Sequence, residues 1–195
     1  MRAERGRDHE IRLVPLGERA NDVLPPLGPP LARQFHARIR IERPIEIRPE
    51  WYDAQRGQYR ADPILDTLIT LHTPNDWILG ILDEDLYAPG LSFIFGQATV
   101  AGCCALIGTA RLRPEFYDAA PDPRLFQRRV LTEATHELGH VAGLHHCPDP
   151  HCVMHFSSTL EETDVKGTDF CARCSSARAD GISIGSRPPP GSGAR

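Results

Sequence analysis

The chain has 195 residues, the size of one domain with a real core. Hydrophobic residues make up 41% and charged residues 25%, close to globular averages, which excludes wholesale disorder. With 22 basic against 26 acidic residues the net charge is −4, which argues against a dedicated nucleic-acid binder.

Residues 1–8 carry charges where an export signal needs an apolar stretch, so a cytoplasmic protein with a flexible segment over 1–10 is expected. Residues 11–16 read as a first strand ended by Gly17. A proline-rich stretch with Pro25, Pro26, Pro29 and Pro30 follows, then a short helix over 31–36. Apolar and charged residues alternate over 37–47, an amphipathic strand or hairpin with Pro44 at an edge or turn. Ile64, Leu65, Leu68, Ile69 and Leu71 have helical spacing behind Pro63. Residues 77–82, 91–95 and 104–107 read as three further strands.

Residues 91–110 contain no charge and match a membrane-spanning helix in length. Ser92, Gly96, Gln97, Thr99, Gly102, Gly108 and Thr109 are too polar for lipid, and two buried strands joined near Ala101 and Gly102 are expected instead. The strongest helix has Asp122 as N-cap and Pro123 in its first turn, with Phe126, Val130, Ala134, Leu138 and Val141 as its apolar stripe. Beyond Cys174 the chain becomes rich in glycine and proline. Only one basic residue, Lys166, is a lysine, which reads as coding bias without functional meaning.

The residues that carry chemistry begin at His136. His136 and His140 stand at i and i+4, one turn apart on one helical face, so both imidazoles can reach one metal ion. Glu137 lies beside the first of them, placed to take a proton from metal-bound water. Gly143 should end the helix, because glycine accepts the left-handed turn of a reversal, and His146 can return as a third ligand. Three protein ligands with an open fourth position form the catalytic zinc pattern.

The spacing His-Glu-x-x-His-x-x-Gly-x-x-His, matched at His136, Glu137, His140, Gly143 and His146, resembles the metzincin clan of zinc metallopeptidases. That clan also sets a methionine in a tight turn beneath the metal, and Met154 follows His146 by eight residues. Within the clan the chain is similar to the archaemetzincin family, whose motif runs directly into cysteines; Cys147, Cys152, Met154, Cys171 and Cys174 appear here in that order. Further resemblance lies in residues 56–59, 93–96, 110–117, 152–157 and 164–166. His155 stands where the family pattern has asparagine, and the 16 residues between Met154 and Cys171 are one fewer than that pattern. The resemblance implies a metzincin-like α/β (α+β) domain over 11–176: a mixed twisted sheet packed on helices, an active-site helix and an irregular zinc-stabilised C-terminal subdomain. A disordered Gly/Pro-rich tail is expected over 177–195.

Read on their own, Cys147, Cys152 and the Cys-x-x-Cys pair Cys171 and Cys174 offer four thiolates from two short loops, as in a closed structural zinc site. Two disulfides or a redox-active pair are the alternative, disfavoured in a protein without an export signal. Because Cys147 directly follows His146, a metal there would buttress the loop that presents this ligand. Cys103 and Cys104 fit buried free thiols, and Asp83 and Asp85 fit a solvated strand end better than a calcium loop. His145, His151 and His155 are surplus.

The expected function is peptide-bond hydrolysis with two zinc ions per chain, one catalytic and one structural. Glu137 acts as general base on zinc-activated water and returns the proton to the leaving amine. The metzincin resemblance also implies an extended peptide or protein substrate on an exposed sheet edge, with residues 91–97 as the candidate strand. Arg111 and Arg113 either meet a substrate carboxylate or form surface salt bridges. No nucleic-acid or membrane partner is expected, and the protein is expected to be a monomer. Two other readings stay open: a zinc-stabilised binding or interaction protein with little proteolytic activity, against which Glu137 argues, and a zinc hydrolase acting on another bond.

Overall fold

Along the first strand the side chains divide between two cores. In the computed structural model, which describes residues 9–179, strand β1 (Glu10–Leu16) sends Ile11 and Leu13 to one face and Val14 and Leu16 to the other. Helix α1 (Leu24–Phe35) then leads to β2 (Arg38–Ile41), and two short strands, β3 (Tyr52–Asp53) and β4 (Gln58–Arg60), precede helix α2 (Ala61–Thr70). Strands β5 (Asp76–Leu82), β6 (Leu86–Tyr87), β7 (Gly96–Ala98) and β8 (Cys104–Gly108) follow, then helices α3 (Pro123–Val141), α4 (Leu160–Val165) and α5 (Ala172–Ala179).

Five strands form a mixed sheet in the order β2-β1-β5-β8-β7, with β3, β4 and β6 in a small separate sheet. β1 pairs parallel with β2 and β5, β5 pairs parallel with β8, and β7 runs antiparallel to β8 at the edge. The period-two alternation of β1 repeats in β5 and β8. Leu79, Ile81, Ala105 and Ile107 face α1 and α3, while Ile78, Leu82, Cys104 and Leu106 face α2. A sheet buried on both faces needs such nearly continuous apolar strands. Gly80 makes the close approach of α2 possible, because a Cβ there would run into the Leu68 side chain. After α3 the chain forms a third, smaller core around Leu144, Val153, Met154 and Ala177.

The mixed α/β class expected from the sequence holds, with several local corrections. The helix expected over 31–36 begins at Leu24, so the proline-rich stretch is the first half of α1. Pro25 and Pro26 occupy its first turn, where a missing N–H costs nothing. Pro29 and Pro30 do remove helical bonds, but Leu24, Leu27, Leu31 and Phe35 recur at steps of three and four and are buried against the sheet. Residues 37–47 form no hairpin: β2 lies parallel to β1, and past Pro44 the chain returns only for a bridge between Ile45 and Leu16.

Residues 91–95 are not a strand. Side chains claim the main chain there: Arg56 Nη2 donates to the carbonyls of Leu91 and Ser92, both at 2.9 Å, and Gln58 Nε2 donates to Ser92 O at 3.0 Å. A single bridge between Leu86 and Ile94 remains. The uncharged stretch 91–110 resolves into β7, a turn with Ala101 at positive φ, and β8. Among the described residues no helix is long and apolar enough to cross a membrane. Of the expected flexible start, Glu10 already belongs to β1 and 1–8 lie outside the described residues. Of the expected tail, 177–179 belong to α5 and 180–195 lie outside them.

Candidate active site

Helix α3 begins as its sequence dictates. Asp122 caps it, its Oδ1 accepting from the N–H groups of Arg124 at 3.1 Å and Leu125 at 3.0 Å, with Pro123 at the first position. Val130, Ala134, Leu138 and Val141 bury its stripe against the sheet. The helix ends in a Schellman arrangement, with Gly143 at φ 87, its N–H donating to His140 O and the Leu144 N–H donating to Gly139 O. This reversal carries His146 back toward the helix.

The three histidines converge. One ring nitrogen from each of His136, His140 and His146 lies within 4.8 Å of the others. The Nε2 atoms of His136 and His140 are 3.2 Å apart, close to the ~3.3 Å edge of a tetrahedron built on zinc–nitrogen bonds of about 2.0–2.1 Å. Nδ1 of His136 lies 2.7 Å from Val153 O and Nδ1 of His140 lies 2.8 Å from Leu144 O. A carbonyl can only accept, so both Nδ1 atoms carry the proton and both Nε2 lone pairs face the centre. Burial lowers all three histidines, His136 well below its ordinary value and His140 to about 4, so they stand neutral, as metal ligands must.

Glu137 is buried beside them. Burial raises its carboxyl to about 8; Glu133 adds to the rise and Lys166 opposes it. Its side chain packs against Gly96 of the edge strand, where a Cβ would come within 2.6 Å of Glu137 Cγ. The triad and Glu137 open onto a cleft of about 790 Å³ walled by residues of the 91–97 segment and by Phe156, Ser157 and Ser158. Met154 is fully buried and packs on α3 at Gly139, where any Cβ would strike its sulfur.

The four cysteines form a second cluster. Cys147, Cys152, Cys171 and Cys174 bring their sulfurs within 4.8 Å of one another, and none is in a disulfide. Cys147 Sγ and Cys171 Sγ are 3.8 Å apart, the ~3.8 Å edge expected for a tetrahedron of 2.3 Å zinc–sulfur bonds. Although burial pushes the Cys171 thiol up, hydrogen bonds from the Cys174 N–H and from neighbouring thiols hold it below its ordinary value. Cys103 and Cys104 lie elsewhere, their sulfurs 3.4 Å apart, with Cys104 fully buried in the sheet.

The arginines and acids upstream serve the scaffold. Arg111 is held by Asp85 at 2.6 and 2.8 Å and lies over the Phe93 ring; Arg113 is held by Asp83 at 2.9 Å. The salt-bridge alternative therefore applies, and Asp83 and Asp85 are ion-paired rather than solvated. His151 is exposed, His145 lines the cleft, and His155 points its Nδ1 at Cys147 O, 3.0 Å away.

Sequence reasoning missed Glu133 and Lys166. They form a buried ion pair of 3.0 Å on the wall of the cleft. For Lys166 two signals were available: it is the single lysine of the chain, and it closes the 164–166 stretch of the family resemblance.

The family model of Peptidase family M54 matches residues 35–178. The archaemetzincin of Methanopyrus kandleri is 46% identical over 142 residues, covering 72% of this chain and 78% of that protein. Its crystal structure matches with a TM-score of 0.80 at 38% identity, over 92% of this chain and 98% of the other. The archaemetzincin of Pyrococcus furiosus is 42% identical over 173 residues, 84% of this chain and 89% of that protein. A zinc-dependent peptidase from Methanocorpusculum labreanum matches with a TM-score of 0.78 at 26% identity, over 86% of this chain and 99% of the other.

Proposed function

The chain belongs to peptidase family M54, the archaemetzincins, and is a zinc-dependent metallopeptidase; we propose that His136, His140 and His146 hold its catalytic zinc and that Glu137 is its general base. The observation that carries this assignment is the convergence of three neutral imidazoles beside one buried carboxyl on an open cleft. Zinc, when bound, supplies the Lewis acid that lowers the pKa of water to about 7 and polarises the scissile carbonyl.

Glu137, whose carboxylate form the charge of a bound zinc would favour, takes the proton of the attacking water and passes it to the leaving amine. The two backbone carbonyls on His136 and His140 fix the direction in which these rings present Nε2. β7 pairs with β8 on one side only, so its other edge can add an extended peptide strand. Gly96, lacking a Cβ, lets that edge lie against Glu137.

Cys147, Cys152, Cys171 and Cys174 are assigned to a second, structural zinc with no open position, and Met154 to the support of the triad from below. Unbridged thiols suit a cytoplasmic setting.

The test is digestion of a diverse peptide mixture by the zinc-loaded protein, read by mass spectrometry. New peptide termini that vanish with a chelator and return with zinc are expected. No cleavage by protein carrying two zinc ions would favour the binding-protein alternative.

A further inference from the structure

The chain has 22 basic residues, and only one of them, Lys166, is a lysine. Its side chain is 1% exposed. Nζ lies 3.0 Å from Glu133 Oε1 and donates to His155 O at 3.4 Å. Thr163 Oγ1 donates to the same Glu133 oxygen at 3.1 Å. The lysine backbone is tied down as well: its N–H donates to Glu162 O, and the next N–H, of Gly167, donates to His151 O.

A buried ion pair is weak evidence for stability, because desolvation consumes most of the attraction. What this pair joins is more informative. Glu133 sits on α3 one turn before Glu137 and three residues before His136. His155 belongs to the segment that follows Cys152, and the Val153 carbonyl of that segment receives the proton of His136 Nδ1. His136 is thus gripped from two sides, by its own helix and by residue 153, and the Lys166 ammonium bridges the two. A compact point charge with three donors suits a fully enclosed spot between a carboxylate and a carbonyl; a longer, planar guanidinium does not.

We propose that Lys166 is a positioning residue for the histidine triad: with Glu133 and the His155 carbonyl it locks α3 to the 152–155 segment and so fixes the direction of His136 Nε2. Its side chain is enclosed, so it acts through other residues. The proposal rests on the assignment of zinc to the triad.

The test compares the full-length wild type, Lys166→Met, Lys166→Arg and the double variant Glu133→Gln/Lys166→Met. Zinc affinity of the histidine site is measured by chelator competition. Cobalt(II) is then placed at that site, with zinc kept at the cysteines, and its absorption spectrum is recorded. Lys166→Met is expected to bind zinc at the triad at least tenfold more weakly and to shift the cobalt bands, with the cysteine metal retained.

Since Lys166→Met leaves Glu133 buried without its counter-charge, and this alone can unfold the protein, the double variant removes both charges. It is expected to fold, to keep the cysteine metal, and still to show the weaker zinc and the shifted spectrum. Lys166→Arg, which keeps the charge, is expected not to restore the wild-type spectrum. A double variant with wild-type zinc affinity and spectrum overturns the proposal, because the pair would then merely neutralise two buried charges. A wild type that binds metal only at the cysteines overturns the triad assignment and this role together.

Discussion

The proton on His136 Nδ1 points at the carbonyl of Val153, 2.7 Å away, and Val153 is the residue after Cys152. One peptide unit therefore separates the cysteine cluster from the residue that orients a histidine of the triad. A second link runs through Cys147, whose N–H donates to Met154 O and whose carbonyl faces His155 Nδ1. Cys147 also follows His146 directly. The cysteine cluster thus grips both strands of the loop that completes the triad.

Cys171→Ser is expected to lower the zinc content from two ions to about one and to lower the melting temperature, since structural zinc in small domains contributes on the order of 10–16 kcal/mol of binding free energy to folding. The links through Val153 and Cys147 add a second expectation, weaker zinc binding at the remaining histidine site. Elemental analysis and chelator competition read both. Unchanged zinc content and melting would remove the structural role assigned to the four cysteines.

Gly96→Ala probes the contact between the edge strand and the base. The added methyl would lie 2.6 Å from Glu137 Cγ and 2.7 Å from Oε1. β7 is held by its pairing to β8, so the carboxyl must move. A displacement of this size is expected to cost on the order of 10²-fold in kcat/KM, while zinc content and melting stay near wild type. Full activity in this variant would show that the Glu137 position is not critical.

With the histidine site emptied and zinc kept at the cysteines, the pH dependence of stability follows from the buried groups around the triad. Free histidine takes a proton near 6.5, but folded His140 does so only near 4, and His136 and His146 are lowered as well. Below pH 6.5 the unfolded chain binds the extra protons, so stability falls by up to about 1.4 kcal/mol per pH unit for each of the buried pair His136 and His140. Glu137 works the other way. Its folded value of about 8 lies above the ordinary 4.5, so stability falls as pH rises from 4.5 to 8. The buried pair His136 and His140 outweighs the one carboxyl below 6.5, and the fall from the carboxyl continues above it. Thermal melts of protein emptied at the histidines but keeping zinc at the cysteines should therefore peak near pH 6.5; a monotonic rise to pH 8 would contradict the burial of Glu137.

Much of the catalytic helix was legible in the sequence because its determinants are local. Asp122 and Pro123 start it, a three-and-four stripe buries it, and Gly143 stops it, all within 22 residues. The triad spacing follows from the same turn geometry. What stayed hidden depends on partners distant in sequence. Lys166 meets Glu133 across 33 positions, and nothing near either residue announces burial of its charge. Residues 91–95 have strand composition, yet Arg56 and Gln58, more than 30 positions away, take the carbonyls of Leu91 and Ser92. α1 shows the converse case: the four prolines confined the expected helix to 31–36, and burial of Leu24, Leu27, Leu31 and Phe35 against the sheet extends it back to Leu24.

The most direct test of the central claim compares wild type with Glu137→Gln on a peptide found to be cleaved, with zinc measured in both proteins. The amide fills the same space against Gly96 and cannot accept the water proton. A loss of 10²–10⁴-fold in kcat/KM is predicted, the usual range for a general base, with zinc content unchanged. Equal activity in the two proteins, with both metals in place, would contradict the assignment of Glu137 as the base.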